Sequence, residues 1–404
     1  MGPSSRVSFA LVSLIPVFVL ASPAPAPAPQ VLSSLTSEFA NATVAAASAL
    51  PSLLIPSYSN FTGSNWNVRF YGLAYKLINI STSDLDSIID GLSTNNLSTT
   101  QQSLLQNRTQ DLTSIPIPDA NLTAMVSVNG SSVTNSSGLT LQTTDAVGEI
   151  DQFIEVPGLG SGDITKIQIV QTGILNITGP GNGTTILVPT SGISVVSDID
   201  DVLRITKVYV PNQGLFNSFV QPYVNVPGFH ELFAKWASSL PCVAFHYDTT
   251  APVELTRTYV EYLQDSLTKL YQTFPQRKFV LTGDTSSSTL LSAYPQITTQ
   301  FPNQTACIFI RNTSATDSDD KIPYSMKAFQ NISSSQYFFY RTPDDLMNID
   351  VSSGNCVNQS VPQNVTVGEQ GGFLDGAAGR SASAFGWGAV VVVGFSTLVG
   401  LLGV

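Results

Sequence analysis

The chain has 404 residues, 43% of them hydrophobic and only 11% charged, with 17 Lys and Arg against 28 Asp and Glu for a net charge of −11. So acidic a balance argues against nucleic acid and anionic membrane as bulk partners, because both want a basic face. A core this large does not depend on disulfides, and with so few charges the polar surface falls to Ser, Thr and Asn.

The chain opens with Arg6 as a lone basic residue, an apolar run from Phe9 to Leu20 and small residues at Ala21 and Ser22, the pattern of a secretory signal peptide over 1–21. A spanning helix needs about 20 apolar residues, and this run is shorter and meets a Pro-Ala repeat at Pro23 to Pro29. Residues 22–57, rich in Ala, Pro and Ser, predict a linker with one short helix. At the far end, 351–379 predicts a second linker. Small residues at Gly376 to Gly379 then precede an apolar tail from Phe385 to Val404, within an anchor signal over 380–404. That layout fits a glycosylphosphatidylinositol signal whose tail is removed; an ordinary C-terminal span is the alternative, though no basic cluster follows it. Fifteen Asn-X-Ser/Thr sequons run from Asn41 to Asn364, with none between Asn182 and Asn303. In a secreted chain they predict a glycosylated surface, and the gap marks a stretch that is buried or must stay clear. Location outside the cell, on the plasma membrane or cell wall, follows.

Residues 58–190 predict a small antiparallel β-sandwich. Alternating runs at Val68–Tyr75, Leu122–Val128, Leu139–Thr143, Ile150–Val156, Ile164–Val170 and Thr185–Val188 are separated by turn signals such as Asn129-Gly130. A helical hairpin over 82–92 and 99–106 interrupts it. The glycines of Gly158 to Gly162 lack a following helix, so a turn explains them better than a dinucleotide loop.

From 191 to 350 apolar strands alternate with helices. The strands are 194–197, 242–247, 278–282, 306–310 and 337–340, and the helices 227–239, 252–274 and 289–301. This is an α/β pattern, a parallel sheet with helices on both faces, and ligands bind outside the carboxyl ends of such strands. Those ends read Asp198-Ile199-Asp200-Asp201, Asp248-Thr249 and Gly283-Asp284-Thr285. Two carboxylates two residues apart, a hydroxyl at Thr249 and a third carboxylate suit a phosphate and a divalent cation, Mg²⁺ being the usual one. In that reading Asp198 attacks phosphorus and binds metal, Asp284 completes a metal set of Asp198, Asp200 and Asp284, and Asp200 serves as general acid and then base. The plainer alternative is that such clusters cap turns, but three strand ends each supplying a fitting group favour a site.

Other chemistries fit poorly. His230 and His246 stand apart with no Gly-X-Ser-X-Gly elbow, and scattered Cys and His give no zinc set, so both histidines are read as structural. Of Cys242, Cys307 and Cys356, a Cys307–Cys356 bridge with Cys242 a buried free thiol is the expected arrangement.

The segment Val195-Val-Ser-Asp-Ile-Asp-Asp-Val-Leu-Arg-Ile-Thr-Lys207 resembles the first motif of App1-type phosphatidate phosphatases, within the haloacid-dehalogenase-like superfamily. Pro227-Gly-Phe229, Phe245-His-Tyr-Asp-Thr-Thr-Ala-Pro252, Phe274-Pro-Gln-Arg-Lys-Phe-Val-Leu-Thr-Gly-Asp284 and Ile308-Phe-Ile-Arg311 extend the resemblance, and the overall layout is similar to secreted fungal members. It implies a haloacid-dehalogenase-like sheet, phosphatase activity and a phospholipid or other phosphomonoester substrate. Departures accompany it. The family's acid after Gly-Asp is replaced by Thr285 to Thr289, and its phosphate-binding lysine is missing, with Leu263 near its place and Lys269 as a poor substitute. A phosphatase and a catalytically impaired surface glycoprotein that uses the same fold for binding therefore remain the two alternatives.

Overall fold

The computed structural model describes residues 52–77, 96–110, 114–160, 164–175, 177, 181–210, 213–248, 259–321 and 324–361. The signal peptide, nearly all of the first linker, the first helix of the hairpin and the C-terminal anchor signal lie outside them. Among the described residues no helix is long and apolar enough to cross a membrane.

The first half is a β-sheet built from β1 (Ser52–Leu54), β2 (Ser57–Phe61), β3 (Trp66–Leu77), β4 (Ser114–Pro116), β5 (Thr123–Val128), β6 (Ser131–Ser132), β7 (Leu139–Thr140), β8 (Glu149–Val156), β9 (Gln168–Ile174) and β10 (Asn182–Val188). Its main path runs β1-β3-β2-β10-β9-β5-β6, with β8 along β3. Helix α1 (Thr99–Gln110) separates β3 from β4. Strand period sets the packing: Trp66, Val68 and Phe70 of β3 are buried in this half's own core with Val126, Ile150 and Leu187, while Arg69 and Tyr71 point the other way. Two expectations need correction. The sheet is not wholly antiparallel, because β10 pairs in parallel with β2, Thr185 opposite Ser57 through Val188 opposite Asn60. These strands are distant in sequence, so no hairpin dictates their direction. Strand structure also begins at Ser52, inside the stretch read as linker, since β1 pairs with Gly72 to Ala74 of β3.

The second half is a five-stranded sheet, entirely parallel, with order β12-β11-β13-β14-β15. Its strands are β11 (Ile193–Ser197), β12 (Ala244–Tyr247), β13 (Lys278–Asp284), β14 (Thr305–Arg311) and β15 (Tyr337–Tyr340). Its helices are α2 (Gln213–Phe219), α3 (Phe229–Ser239), α4 (Tyr259–Thr273) and α5 (Ser288–Gln300). Their apolar residues recur at helical spacing, as with Phe229, Leu232 and Trp236 of α3. One core joins α4 and α5 to one sheet face, and α3 covers the other with Val195, Phe309 and Tyr340. The second linker, like the first, yields residues to a fold: Cys356 is bonded to Cys307, as expected, and Val361 is buried. Cys242 is a free thiol, as expected, but is not fully buried. It stands at a turn before β12 with φ 44°, half-buried, its thiol donating to the carbonyl of Thr165 at 2.7 Å.

In this strand order the chain reverses direction between β11 and β13, and a crevice opens at the carboxyl ends of an open parallel sheet where the winding reverses. Asp198 follows β11 and Asp284 ends β13.

Candidate active site

Asp198 and Asp284 are each 1% exposed. The Asp198 amide donates to the carbonyl of Thr282 at 2.9 Å, which docks the end of β11 on β13, and its Oδ1 accepts from the Ile199 amide at 2.8 Å. Burial, then the neighbouring charges of Asp284 and Asp200, push its carboxyl well above the usual range. Asp284 Oδ1 accepts from the amide of Ser286 at 2.7 Å and from the Ser286 hydroxyl. Burial raises Asp284 to about 7, with Asp201 adding to the rise while Ser286 and Arg311 oppose it. Beneath them, Tyr294 of α5 donates to the Thr282 carbonyl at 3.0 Å, and its phenol is raised by burial and by the charges of Asp198, Asp248 and Asp284. Gly283 permits this close approach: a Cβ there would lie 3.0 Å from Leu290 and 3.1 Å from the Tyr294 ring.

Asp200 lies on the loop after β11, where its Oδ1 receives Arg204 Nε at 2.8 Å, Arg204 Nη2 at 2.7 Å and the Thr206 hydroxyl at 2.5 Å. Asp201 has a different task. With φ 55° and 1% exposure, it accepts from the amides of Thr206 at 3.0 Å, Lys207 at 2.8 Å and Val208 at 3.0 Å. It is the carboxylate that holds the loop in shape. Arg311, the last residue of β14, donates to the Asp201 carbonyl at 2.5 Å. Lys207 and Tyr209 reach Asp317 at 2.8 Å each, fastening this loop to the one after β14.

The structure thus brings Asp198, Asp200 and Asp284 to the carboxyl end of the sheet, while Thr249 lies outside the described residues. It does not bring Lys269 there. That ammonium pairs with Asp151 of β8, in the other half, and Lys269 stands in the last turns of α4, about 15 Å along the helix from its start by the rise per residue. Leu263 is buried in the core. The stretch Thr285 to Thr289, where the family's second acid was sought, carries only hydroxyls: Ser286 bonds Asp284, and Ser287 caps α5 by accepting from the Leu290 amide. Sequence reasoning missed Arg204, Thr206 and Arg311. The same strand-end rule that found Asp284 points to Arg311, its neighbour in register, but no local signal distinguishes Asp200 from Asp201.

Among the described residues no three His, Cys, Asp or Glu side chains converge as a ready metal cage. A Mg²⁺ site does not demand one, since that ion keeps several waters and takes one or two carboxylates. Two buried, hard-oxygen carboxylates whose proton affinities are raised by burial and by neighbouring negative charge are a donor set that fits such a cation.

An open parallel sheet with buried carboxylates at its winding reversal defines an α/β protein with a site suited to phosphoryl chemistry. The family model for the phosphatidate phosphatase APP1 catalytic domain matches residues 193–267 and 264–312. Residues 193–312 are therefore similar to an App1-type catalytic domain. No curated protein and no solved structure shows significant similarity to the chain.

Proposed function

We propose that the chain is a Mg²⁺-dependent phosphatase acting outside the cell on phosphomonoesters, with phosphatidate as the substrate class that the matched family's name suggests. The observation that carries this reading is the placement of Asp198 and Asp284, both fully buried, on adjacent strand ends at the winding reversal. Asp198 is the nucleophile: a carboxylate oxygen forms the bond to phosphorus as the ester oxygen leaves, giving an aspartyl phosphate. Asp200 gives a proton to the departing alkoxide and afterwards takes one from the water that cleaves the acyl phosphate. Its hydrogen bonds from Arg204 and Thr206 fix its orientation for both steps. Asp198 and Asp284, with Asp200 nearby, would hold Mg²⁺, which supplies charge compensation for the phosphoryl oxygens.

Secretion, glycosylation and a C-terminal lipid anchor complete the proposal. Its support is the sequence pattern of the two ends and the finding that no described sequon asparagine is buried. A second reading, a surface glycoprotein that binds without turnover, is favoured by the commitment of Lys269 to Asp151 and by the absence of an acid from Thr285 to Thr289. Phosphate release from phosphatidate vesicles and from a soluble aryl phosphate, with Mg²⁺ and with a chelator, separates the two. The phosphatase reading expects Mg²⁺-dependent release; binding of either compound without release supports the second.

A further inference from the structure

Arg204 is not the lone cation beside Asp200. Its guanidinium carbon lies 4.8 Å from the centre of the Tyr223 ring, and that of Arg108 lies 3.9 Å from the same ring. Arg108 comes from the last turn of α1, in the chain's first half, so the accessory region sends a positive charge to the edge of the catalytic loop. Its Nη1 donates to the carbonyls of Ser218 at 2.9 Å and Gln221 at 2.7 Å, neutral acceptors at the end of α2. Of the two guanidiniums on the Tyr223 ring, Arg204 pairs with the Asp200 carboxylate while Arg108 is bonded to neutral carbonyls. Burial lowers the pKa of Arg108, Tyr223 opposes that shift and the charge of Arg204 adds to it. Planar guanidiniums held on an aromatic ring suit phosphate oxygens.

We infer that Arg204 and Arg108, gathered on Tyr223 beside Asp200, form the subsite that holds the phosphate monoester, the task that Lys269 is not placed to perform. The inference rests on the phosphatase reading for its substrate class, but it concerns binding and can fail independently. The ligand chemistry is a phosphate monoester dianion, whether on a lipid headgroup or free.

The test uses the full-length glycosylated protein as wild type, Arg204→Gln, Arg108→Gln and Arg204→Lys. Orthophosphate and Mg²⁺ are titrated by calorimetry, and sedimentation is measured with phosphatidylcholine vesicles containing or lacking phosphatidate. Arg204→Gln should weaken orthophosphate roughly tenfold or more, the range for a lost charge-assisted hydrogen bond, and Arg108→Gln several-fold. Mg²⁺ should bind equally or more tightly in both, because a competing positive charge has gone, and Arg204→Lys should recover part of the phosphate affinity. Arginine-dependent binding of orthophosphate and of phosphatidate vesicles assigns the phosphate itself, whereas dependence on phosphatidate vesicles alone assigns the headgroup. Unchanged phosphate affinity in both glutamine variants overturns the inference. So does an equal loss of phosphate and Mg²⁺ affinity with a lowered melting temperature, which marks a structural role. Turnover with arginine-independent binding sinks the subsite alone, and arginine-dependent binding without turnover sinks the phosphatase reading alone.

Discussion

Arg277 is fully buried, and its five hydrogen bonds, 2.5 to 2.9 Å long, end on neutral oxygens: the carbonyls of Pro189, Ser191, Ile193 and Cys242 and the hydroxyl of Ser194. Burial pulls its pKa down to about 10. Gly192, at φ +122°, lets the chain pass so closely that a Cβ would sit 3.0 Å from Arg277 Nη1. One guanidinium thus fastens the segment joining the two halves to the starts of β11 and β12. Arg277→Met should cost about 3 kcal/mol or more, because several buried acceptors lose their donors together, and Arg277→Lys should recover little, since an ammonium lacks the planar fork. Urea denaturation measures both, and a loss below about 1 kcal/mol for Arg277→Met would show that water replaces the clamp. The sequence contained Arg277 within a family-like segment but not its task, which is set by carbonyls that only folding gathers around it. Asp200 and Asp201 teach the same lesson. They are neighbours of one residue type, and only the loop's path gives one an arginine and the other three amides.

At the scale of elements, the five parallel strands were legible because strands buried on both faces read as apolar runs between polar turns. Helix α2 was not, because Gln213-Gly-Leu-Phe-Asn-Ser-Phe219 is short and carries only a weak apolar stripe. β1 was not, because three residues become a strand only against Gly72 to Ala74. β12 carries a prediction of its own. His246 is packed edge-on against Tyr58 at 5.5 Å, with Nε2 3.2 Å from the Ser194 hydroxyl, and burial with the charges of Arg277 and Arg69 lowers it to about 3. The folded protein holds this imidazole neutral while the unfolded chain protonates it near 6.5. Stability should therefore fall as pH drops from about 6.5 towards about 3, by several kcal/mol at the low end, and be unaffected by this group above that window. His246→Gln should flatten the fall in a pH series of thermal denaturations. An unchanged slope would show that the acid sensitivity lies elsewhere.

At the scale of the whole molecule, the alternation of β3 and β8 gives the first sheet a second packed face. Arg69 bonds Asp151 at 2.7 and 2.9 Å and stacks over Tyr58 at 4.6 Å, Lys269 joins Asp151 from α4, and Tyr58 meets Phe274 at 5.6 Å. The sequence showed the β-rich region and the α/β region but not this join, since its residues are scattered over both. Asp151→Ala leaves Arg69 without its partner where its side chain is 13% exposed, and should cost roughly 2 to 4 kcal/mol. Lys269→Met should cost less than about 1 kcal/mol, because its side chain is 39% exposed and the pair is screened. It should also leave kcat and KM for phosphatidate unchanged. A selective rise in KM would return Lys269 to the substrate site.

Attack on phosphorus by Asp198, at the end of β11, is open to test by trapping the intermediate. The protein is mixed with Mg²⁺ and labelled phosphatidate or an aryl phosphate, quenched in acid during turnover, digested, and its peptides analysed by mass spectrometry. Labelled phosphate is expected on the peptide carrying Asp198, to be lost on chelating Mg²⁺ and to be absent from the folded Asp198→Asn variant together with phosphate release. Phosphate release that persists in Asp198→Asn, or that proceeds with the label on another residue, would contradict it.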